Sequence, residues 1–322
     1  MEKKHVVIIG LGGVGGYFGF KISQQNEVDH KNKISFVARG VTYETAKKSG
    51  LQLLSPEHPK AITRPDAIYQ KISEIQNPDL VLICVKEYDL EDICRQLSKV
   101  ITTNTVLLPM MNGADIYDRI RKILPKSLIL PSCVYVASHI KEKGIVEHKG
   151  KPGQLIVGKD PQLPAIKIDW IIDILEKSKI HFQFKESAQV DIWTKFIFIA
   201  SFGLVTAKYN SSIGAICKVE LQKEEATNIM LEIKLIADQK GINLSEDIVR
   251  NTFDKAASFP PSTPTSLQLD VHSEKANNEL DLFAGAILKY GKETKVPTPF
   301  SEKIYLEVKA EILKSSNKEF SL

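Results

Sequence analysis

The sequence has few cysteines and no spacing of side chains that is typical of a metal site. Its four cysteines, Cys84, Cys94, Cys133 and Cys217, include no Cys-x-x-Cys pair, and its seven histidines show neither His-x-x-x-His nor His-Glu-x-x-His spacing. A disulfide framework or a bound metal therefore has no support in the sequence. We expect reduced, mostly buried thiols.

Long hydrophobic runs and an excess of one charge are also missing. No uninterrupted run reaches 18 apolar residues, so we expect no membrane-spanning helix and no membrane partner. The 43 basic and 39 acidic residues leave a net charge of only +4, dispersed along the chain. So small an excess does not indicate nucleic-acid binding, but it is compatible with a small anionic ligand. The start of the chain lacks the apolar stretch and cleavage site of a signal peptide, so we expect a cytoplasmic protein.

The first half of the chain alternates short apolar runs with stretches of helical length. The apolar runs, which predict buried strands, are Val6–Ile9, Ile34–Ala38, Leu80–Val85 and Val106–Leu108. The intervening predicted helices are Val14–Ser23, Leu90–Val100 and Asp115–Leu124. Uninterrupted apolar runs are typical of parallel strands covered on both faces. The alternation therefore predicts a doubly wound α/β domain.

The pattern changes in the second half. Residues 145–148 and 154–157 predict an antiparallel hairpin, which is followed by a helix at Ile166–Lys177 and a strand at His181–Phe184. Beyond Ser187 the pattern predicts only helices, namely Ile192–Ala207, Val219–Gln239, Glu246–Ala257, Glu274–Tyr290 and Phe300–Ser315. With 322 residues, two domains are expected. We place them at residues 1–186 (α/β) and 187–322 (all-α), with the apolar helix Ile192–Ala207 buried at their interface.

A glycine-rich segment follows the first strand. Gly10, Gly12 and Gly15 form a G-x-G-x-x-G motif that also contains Gly13 and Val14. In a strand–turn–helix context Gly10 allows the tight turn, Gly12 lets the backbone approach a diphosphate, and Gly15 lets helix and strand pack closely. The motif predicts a dinucleotide-binding site with the diphosphate at the helix N-terminus. A glycine-rich turn without a ligand is the alternative.

Polar residues follow the other strands at the edge where such a ligand would bind. Arg39 follows the second strand, where an NAD site usually has an acidic residue, and an arginine there suits the 2′-phosphate of NADP. Lys86 and Asn112 follow the third and fourth strands, which places them on the same cofactor side. Each also has an ordinary structural explanation: a solvated surface arginine, a lysine reaching water, and an Asn-Gly turn.

The helical half contains one lysine inside an apolar helix. Lys195 precedes the run Phe196–Ala200, so its ammonium must reach solvent or a partner. Four carboxylates follow a proline-rich loop, and the sequence does not choose among them: Asp270, Glu274, Glu279 and Asp281. A lysine that simply reaches solvent at a domain interface is the alternative.

Taken together, these segments resemble the ketopantoate reductase family (2-dehydropantoate 2-reductases) over essentially the whole chain. The matching segments are Gly10–Gly15, Val37–Arg39, Val85-Lys86, Met111–Gly113, Trp193–Lys195, Thr265–Asp270 and Asn278–Asp281. The resemblance implies a Rossmann-type NADP-binding domain, a helical C-terminal domain and an active site between them. It is compatible with a homodimer, although the sequence itself contains no interface signal.

The resemblance also implies roles for individual residues. Lys195 would be the general acid, Glu279 would orient the substrate hydroxyl and Lys195, and Ser266 would bind the substrate carboxylate. Asn112 would bridge cofactor and substrate, and Lys86 would join Arg39 beside the cofactor. The interval from Asp270 to Glu279 is one residue longer than expected, so Glu274 is the rival of Glu279.

The resemblance implies an NADPH-dependent reduction of a 2-oxo acid, with ketopantoate to pantoate in pantothenate biosynthesis as the first choice. Two positions depart from the family, because Ile199 and Gly203 replace asparagines found four and eight residues after the lysine. Missing hydrogen-bonding groups change discrimination among similar substrates. A reductase of a different 2-oxo or 3-oxo acid and a non-catalytic NADP-binding sensor therefore stay open.

Overall fold

The computed structural model describes residues 3–57, 60–165, 167–273 and 277–319. They form two compact units. The first contains the chain up to Asn112 and from Ile116 to Ala188, and the second contains Gly113–Asp115 and the chain from Gln189 onward. The division falls two residues after the predicted boundary at 186, and the short segment Gly113–Asp115 groups with the second unit.

The first unit is an α/β domain, as predicted. Its strands are β1 (His5–Ile9), β2 (Lys33–Val37), β3 (Leu51–Leu54), β4 (Ala61–Thr63), β5 (Ala67–Tyr69), β6 (Leu80–Ile83), β7 (Val106–Pro109), β8 (Leu128–Ile129), β9 (Ser132–Tyr135), β10 (Ser138–Glu142), β11 (Ile145–His148), β12 (Gln154–Gly158) and β13 (His181–Lys185). Its helices are α1 (Gly13–Asp29), α2 (Gly40–Ser49), α3 (Glu87–Leu97), α4 (Ile116–Ile123) and α5 (Asp169–Lys177).

The main sheet is parallel and has the order β5-β2-β1-β6-β7-β8. All residues of β1, β6 and β7, three of the four inner strands, are buried. Burial on both faces is why these strands appear in the sequence as continuous apolar runs. The four strands predicted from those runs are confirmed, as is the doubly wound fold class.

The predicted hairpin of residues 145–148 and 154–157 is wrong, although both segments are strands. β11 pairs antiparallel with β10 and parallel with β3, whereas β12 pairs antiparallel with β9 and parallel with β13. The hairpin partner of β11 is β10 (Ser138–Glu142), a mostly exposed strand that has no apolar periodicity to reveal it. Gly144, with φ +81, makes the tight turn between β10 and β11.

The second unit is helical, and the part of it that the structure describes contains no strand. Its helices are α6 (Gln189–Tyr209), α7 (Ile213–Lys218), α8 (Glu220–Gln239), α9 (Ile248–Ala257), α10 (Ser266–Val271), α11 (Ala286–Thr294) and α12 (Pro299–Glu319), with a π-helical turn at Asp281–Gly285. α6 is central and packs against α8, α10, α12 and the π-helical turn. The continuous helix predicted from Glu274 to Tyr290 is wrong over Asn277–Glu279, which are not helical, and Glu274 lies outside the described residues.

α6 explains the most apolar segment of the sequence. Within the described residues, its length and composition would suit a membrane span, yet 67% of its most apolar window is buried inside the protein. A helix that is hydrophobic on all sides and covered by other helices is typical of a protein core. We therefore assign the apolar character of α6 to packing against its neighbours.

Candidate functional site

The carboxyl ends of four neighbouring strands lie in line at one edge of the main sheet. Ile9 at the end of β1 pairs with Val37 of β2 and Ile83 of β6, and Ile83 pairs in turn with Pro109 of β7. The segments that leave these strand ends carry the predicted cofactor residues Gly10, Arg39, Lys86 and Asn112. The sheet register thus brings four residues that are up to 102 positions apart to a single edge, where open α/β sheets bind ligands.

Two glycines of the motif are required by close contacts within the loop. Gly10 has φ +91, and a Cβ there would lie 2.6 Å from the carbonyl oxygen of Cys84. A Cβ on Gly15 would lie 1.9 Å from the carbonyl oxygen of Gly10. Gly10 therefore shapes the turn and Gly15 lets α1 begin against it, as the motif predicts.

Gly12 and Gly13 differ in what surrounds them. No atom lies within 4 Å of the Cβ position of Gly12, whereas a Cβ on Gly13 would lie 2.3 Å from the carbonyl oxygen of Ser138 in β10. The neighbouring Gly16 likewise lies against Val146 of β11. Gly12 therefore faces open space that a ligand could use, while Gly13 and Gly16 let the sheet containing β10 and β11 pack on α1. The motif alone did not reveal this packing role.

The N-terminus of α1 fits an anionic group. No side chain caps it at Gly12, and its first turn contains no acidic residue. The first amides of a helix lack intrahelical partners and attract negative charge. Together with the open space at Gly12, these amides suit the diphosphate of a dinucleotide.

Arg39 is exposed but is not simply solvated. It directly precedes α2, 68% of its side chain is exposed, and its Nη2 donates a 2.7 Å hydrogen bond to Oδ2 of Asp89 in the first turn of α3. Lys86 is half-buried and directly precedes α3. Sequence reasoning missed Asp89, because nothing along the chain joins two residues 50 positions apart.

The four cysteine thiols do not fit a nucleophilic role. Cys84, Cys94 and Cys133 are buried, Cys217 is half-buried, and none of the four is in a disulfide. Burial raises the pKa of Cys94 to about 12 and raises the pKa of Cys84 even further. Because the thiolate is the reactive form, nucleophilic thiol chemistry has no support.

In the second unit, aromatic contacts join the segment of Lys195 to the π-helical turn and to α11, both of which follow Glu279. The ring of Trp193 lies 5.5 Å from that of Tyr290 in α11, and the ring of Phe196 lies 6.5 Å from that of Phe283 in the π-helical turn. Lys195 is half-buried between these two aromatic residues of α6. Glu279, 4% exposed, lies two residues before the π-helical turn.

The other candidate carboxylates have different surroundings. Asp281 is exposed and its Oδ1 accepts a 2.8 Å hydrogen bond from the hydroxyl of Tyr305 in α12. Asp270 is half-buried in α10, and Glu274 lies outside the described residues. Among the described carboxylates of this set, Glu279 is the buried one beside the segment that packs on α6.

Ser266 is the exposed first residue of α10, a helix that is fixed to α6 at two points. Oγ1 of the preceding Thr265 caps α10 by accepting from the amide of Gln268, and it lies 2.6 Å from Oγ1 of Thr206 in α6. Leu267 packs against Gly203, whose Cβ would lie 3.5 Å from that of Leu267. Because Gly203 has no side chain, α10 can pack close to α6. Ile199, one turn before it, is half-buried.

Comparisons with known proteins agree with this architecture. Residues 6–162 match the family described as ketopantoate reductase PanE/ApbA, and residues 187–311 match its C-terminal family. An uncharacterized oxidoreductase of Bacillus subtilis strain 168 is 23% identical over 93% of this chain and 96% of its own length.

Solved structures share the fold at low sequence identity. A PanE/ApbA family ketopantoate reductase from Ralstonia eutropha JMP134 superposes with a TM-score of 0.86 at 21% identity, covering 97% of this chain and 99% of that one. D-mandelate dehydrogenase with NADH and anilino(oxo)acetate gives 0.81 at 20% identity, covering 96% and 99%. At these identities the likeness establishes the fold.

Proposed function

Because the chain belongs to the ketopantoate reductase family of oxidoreductases, we propose that it reduces a 2-oxo acid with NADPH. The first substrate to test is ketopantoate, whose reduction to pantoate is a step of pantothenate biosynthesis. The observation that carries the proposal is the alignment of Gly10, Arg39, Lys86 and Asn112 along one edge of the parallel sheet.

The residues at this edge fit a nicotinamide dinucleotide. The α1 N-terminus and the open backbone at Gly12 suit its diphosphate, and the exposed guanidinium of Arg39 suits a 2′-phosphate. When bound, the cofactor would supply a hydride to the carbonyl carbon of the substrate. The remaining task for the protein is to bind the acid and to protonate the developing alkoxide.

Residues of the second unit suit that task. Lys195 would donate a proton to the substrate oxygen, and its positive charge would stabilise the alkoxide as it forms. The buried carboxylate of Glu279 would orient Lys195 and the product hydroxyl. The hydroxyl of Ser266, exposed at the start of α10, would bind the substrate carboxylate. Asn112 would contact both cofactor and substrate.

A reductase of a more apolar 2-oxo acid is the second candidate. Ile199 places a half-buried hydrocarbon side chain one turn after Lys195, and Gly203 offers no polar side chain. A pocket wall without amide groups favours an aromatic or branched aliphatic substrate over the hydroxyl-bearing ketopantoate. The structural likeness to D-mandelate dehydrogenase is consistent with such a substrate.

Steady-state assays test these proposals together. The purified protein is mixed with NADPH or NADH and a panel containing ketopantoate, pyruvate, a branched aliphatic 2-oxo acid and phenylglyoxylate, and loss of reduced cofactor is followed by absorbance. Ketopantoate should have the highest kcat/KM, and Lys195→Ala should abolish the signal. A higher kcat/KM for phenylglyoxylate would favour the second candidate, and binding of NADPH without turnover of any acid would favour a sensor.

A further inference from the structure

We propose that Asp89 determines how strongly the cofactor site distinguishes NADPH from NADH. The inference rests on the proposed function and concerns the pocket for the adenosine ribose. Its basis is the ion pair between Arg39 and Asp89, whose nitrogen and oxygen lie 2.7 Å apart. β2 and β6 flank β1, so this pair joins the two sides of the strand that leads into the glycine loop.

The pair places both kinds of ribose-binding group side by side. NAD sites usually hold the ribose 2′-hydroxyl with an acidic residue after the second strand, whereas NADP sites place an arginine near the 2′-phosphate. Here the arginine follows β2, and the carboxylate comes from α3, at the end of β6. Asp89 therefore offers an acceptor for a 2′-hydroxyl beside the cation that suits a 2′-phosphate.

The charges of this ion pair affect the affinities for NADPH and NADH differently. A 2′-phosphate carries a charge of about −2 at neutral pH. This phosphate would bind beside Arg39, whose charge Asp89 already neutralises, and the Asp89 carboxylate would repel it. The pair is exposed on the arginine side and exposed ion pairs are weak, so a phosphate can separate it. Asp89 thus lowers the affinity for NADPH and supports binding of NADH.

The test compares dissociation constants of NADPH and NADH, measured by fluorescence titration of wild type, Asp89→Asn and Asp92→Asn. Asp92 is a matched control, because it is an exposed aspartate of the same helix whose Oδ2 accepts a 2.6 Å hydrogen bond from Gln96. Asp89→Asn should bind NADPH about five- to tenfold more tightly, since one nearby negative charge is removed. It should bind NADH a few-fold more weakly. The gain for NADPH should shrink as salt is raised, because screening weakens the repulsion.

Other results separate this inference from the proposed function. An unchanged ratio of the two dissociation constants in Asp89→Asn, or the same change in Asp92→Asn, would overturn the role of Asp89 while leaving the reductase intact. Weaker NADPH binding by Asp89→Asn would show that the carboxylate only positions Arg39, and it would also overturn the inference. A wild-type protein that binds neither dinucleotide would refute the proposed function itself. Thermal unfolding of each variant checks that α3 remains folded.

Discussion

Lys195 is the residue whose loss should separate chemistry from cofactor binding. A positioned general acid contributes about 10²–10⁴-fold, so Lys195→Ala should lower kcat at least about 100-fold. The residues predicted to hold the dinucleotide lie in the first unit and Lys195 lies in the second, so NADPH affinity should change by less than about threefold. Cofactor-consumption assays and fluorescence titration measure the two quantities.

The control for this prediction is Lys234→Ala. It removes another helical lysine of the second unit, one whose Nζ lies 2.9 Å from Asp238 in an i,i+4 ion pair, and both constants should stay unchanged. If Lys195→Ala retains half of the wild-type turnover, the general acid is elsewhere, and Lys86 is the next candidate.

Ile199 and Gly203, the two positions that depart from the family pattern, differ in the space available for an asparagine side chain. Ile199→Asn should lower the KM for ketopantoate about fivefold by adding one hydrogen bond of about 1 kcal/mol. Gly203 is buried against Leu267, so the amide of Gly203→Asn must displace that leucine and should lower the free energy of unfolding by about 1–3 kcal/mol. Gly203→Ala, whose methyl makes an ordinary contact, should cost less.

Steady-state kinetics and denaturant unfolding test this pair of substitutions. An Ile199→Asn enzyme with the wild-type KM would show that this side chain does not face the substrate. A Gly203→Asn variant with the wild-type free energy of unfolding would show that Leu267 can move aside without loss of stability.

At the scale of secondary-structure elements, adjacent glycines at the start of α1 have different functions. Gly12→Ala enters open space, so its free energy of unfolding should change by less than about 1 kcal/mol. It should nevertheless weaken NADPH binding about 10- to 100-fold by blocking one charge-assisted hydrogen bond from the backbone. Gly13→Ala meets the Ser138 carbonyl in β10 and should destabilise the protein by about 2–4 kcal/mol.

Unfolding curves and cofactor titrations of the two variants, measured side by side, provide the comparison. Because the substitutions are identical and adjacent, each is the control of the other. Equal destabilisation by both would contradict the assignment of Gly13 to packing and Gly12 to ligand approach.

β1 contains a histidine that should make stability depend on pH. The His5 ring is buried, with Nδ1 3.0 Å from the Gln76 carbonyl oxygen and Nε2 2.9 Å from Ser35 Oγ, and burial lowers its pKa from the ordinary 6.5. The unfolded chain then binds the proton more readily than the folded one. The stabilisation is complete above the unfolded pKa of 6.5 and is lost as pH falls from there toward the lower folded-state pKa.

Denaturant unfolding of wild type and His5→Asn between about pH 8 and pH 5 tests this linkage. Wild type should lose free energy of unfolding below pH 6.5 more steeply than the variant. Parallel curves for the two proteins would assign the pH dependence to other groups.

At the scale of the whole molecule, predicted binding and chemistry fall in different units. NADPH at about 100 times its dissociation constant should raise the free energy of unfolding of wild type by about 2.7 kcal/mol. It should raise that of Lys195→Ala by the same amount. Arg39→Ala, with affinity reduced about 10- to 100-fold, should gain only about 0.4–1.4 kcal/mol at the same concentration. Thermal unfolding with and without NADPH measures these shifts, and equal stabilisation of Arg39→Ala would remove that arginine from the cofactor site.

Much of this organisation follows from local sequence signals. Strands buried on both faces are mostly apolar, so β1, β2, β6 and β7 were predictable, and the turn geometry after β1 requires glycine at positions 10 and 15. The polar strand β10 escaped prediction because its exposed side chains carry no periodic signal. The π-helical turn at Asp281–Gly285 escaped it because a single five-residue turn is too short to show a periodicity different from that of an α-helix.

The sequence by itself determined the parallel α/β domain, the helical second half, the glycine motif and the family, because each depends on residue type and short-range spacing. Only the tertiary structure decided which distant residues meet. It paired Arg39 with Asp89 across β1, placed β10 against Gly13, and packed Leu267 on Gly203. Such contacts depend on strand order and helix packing, and these are properties of the folded chain as a whole.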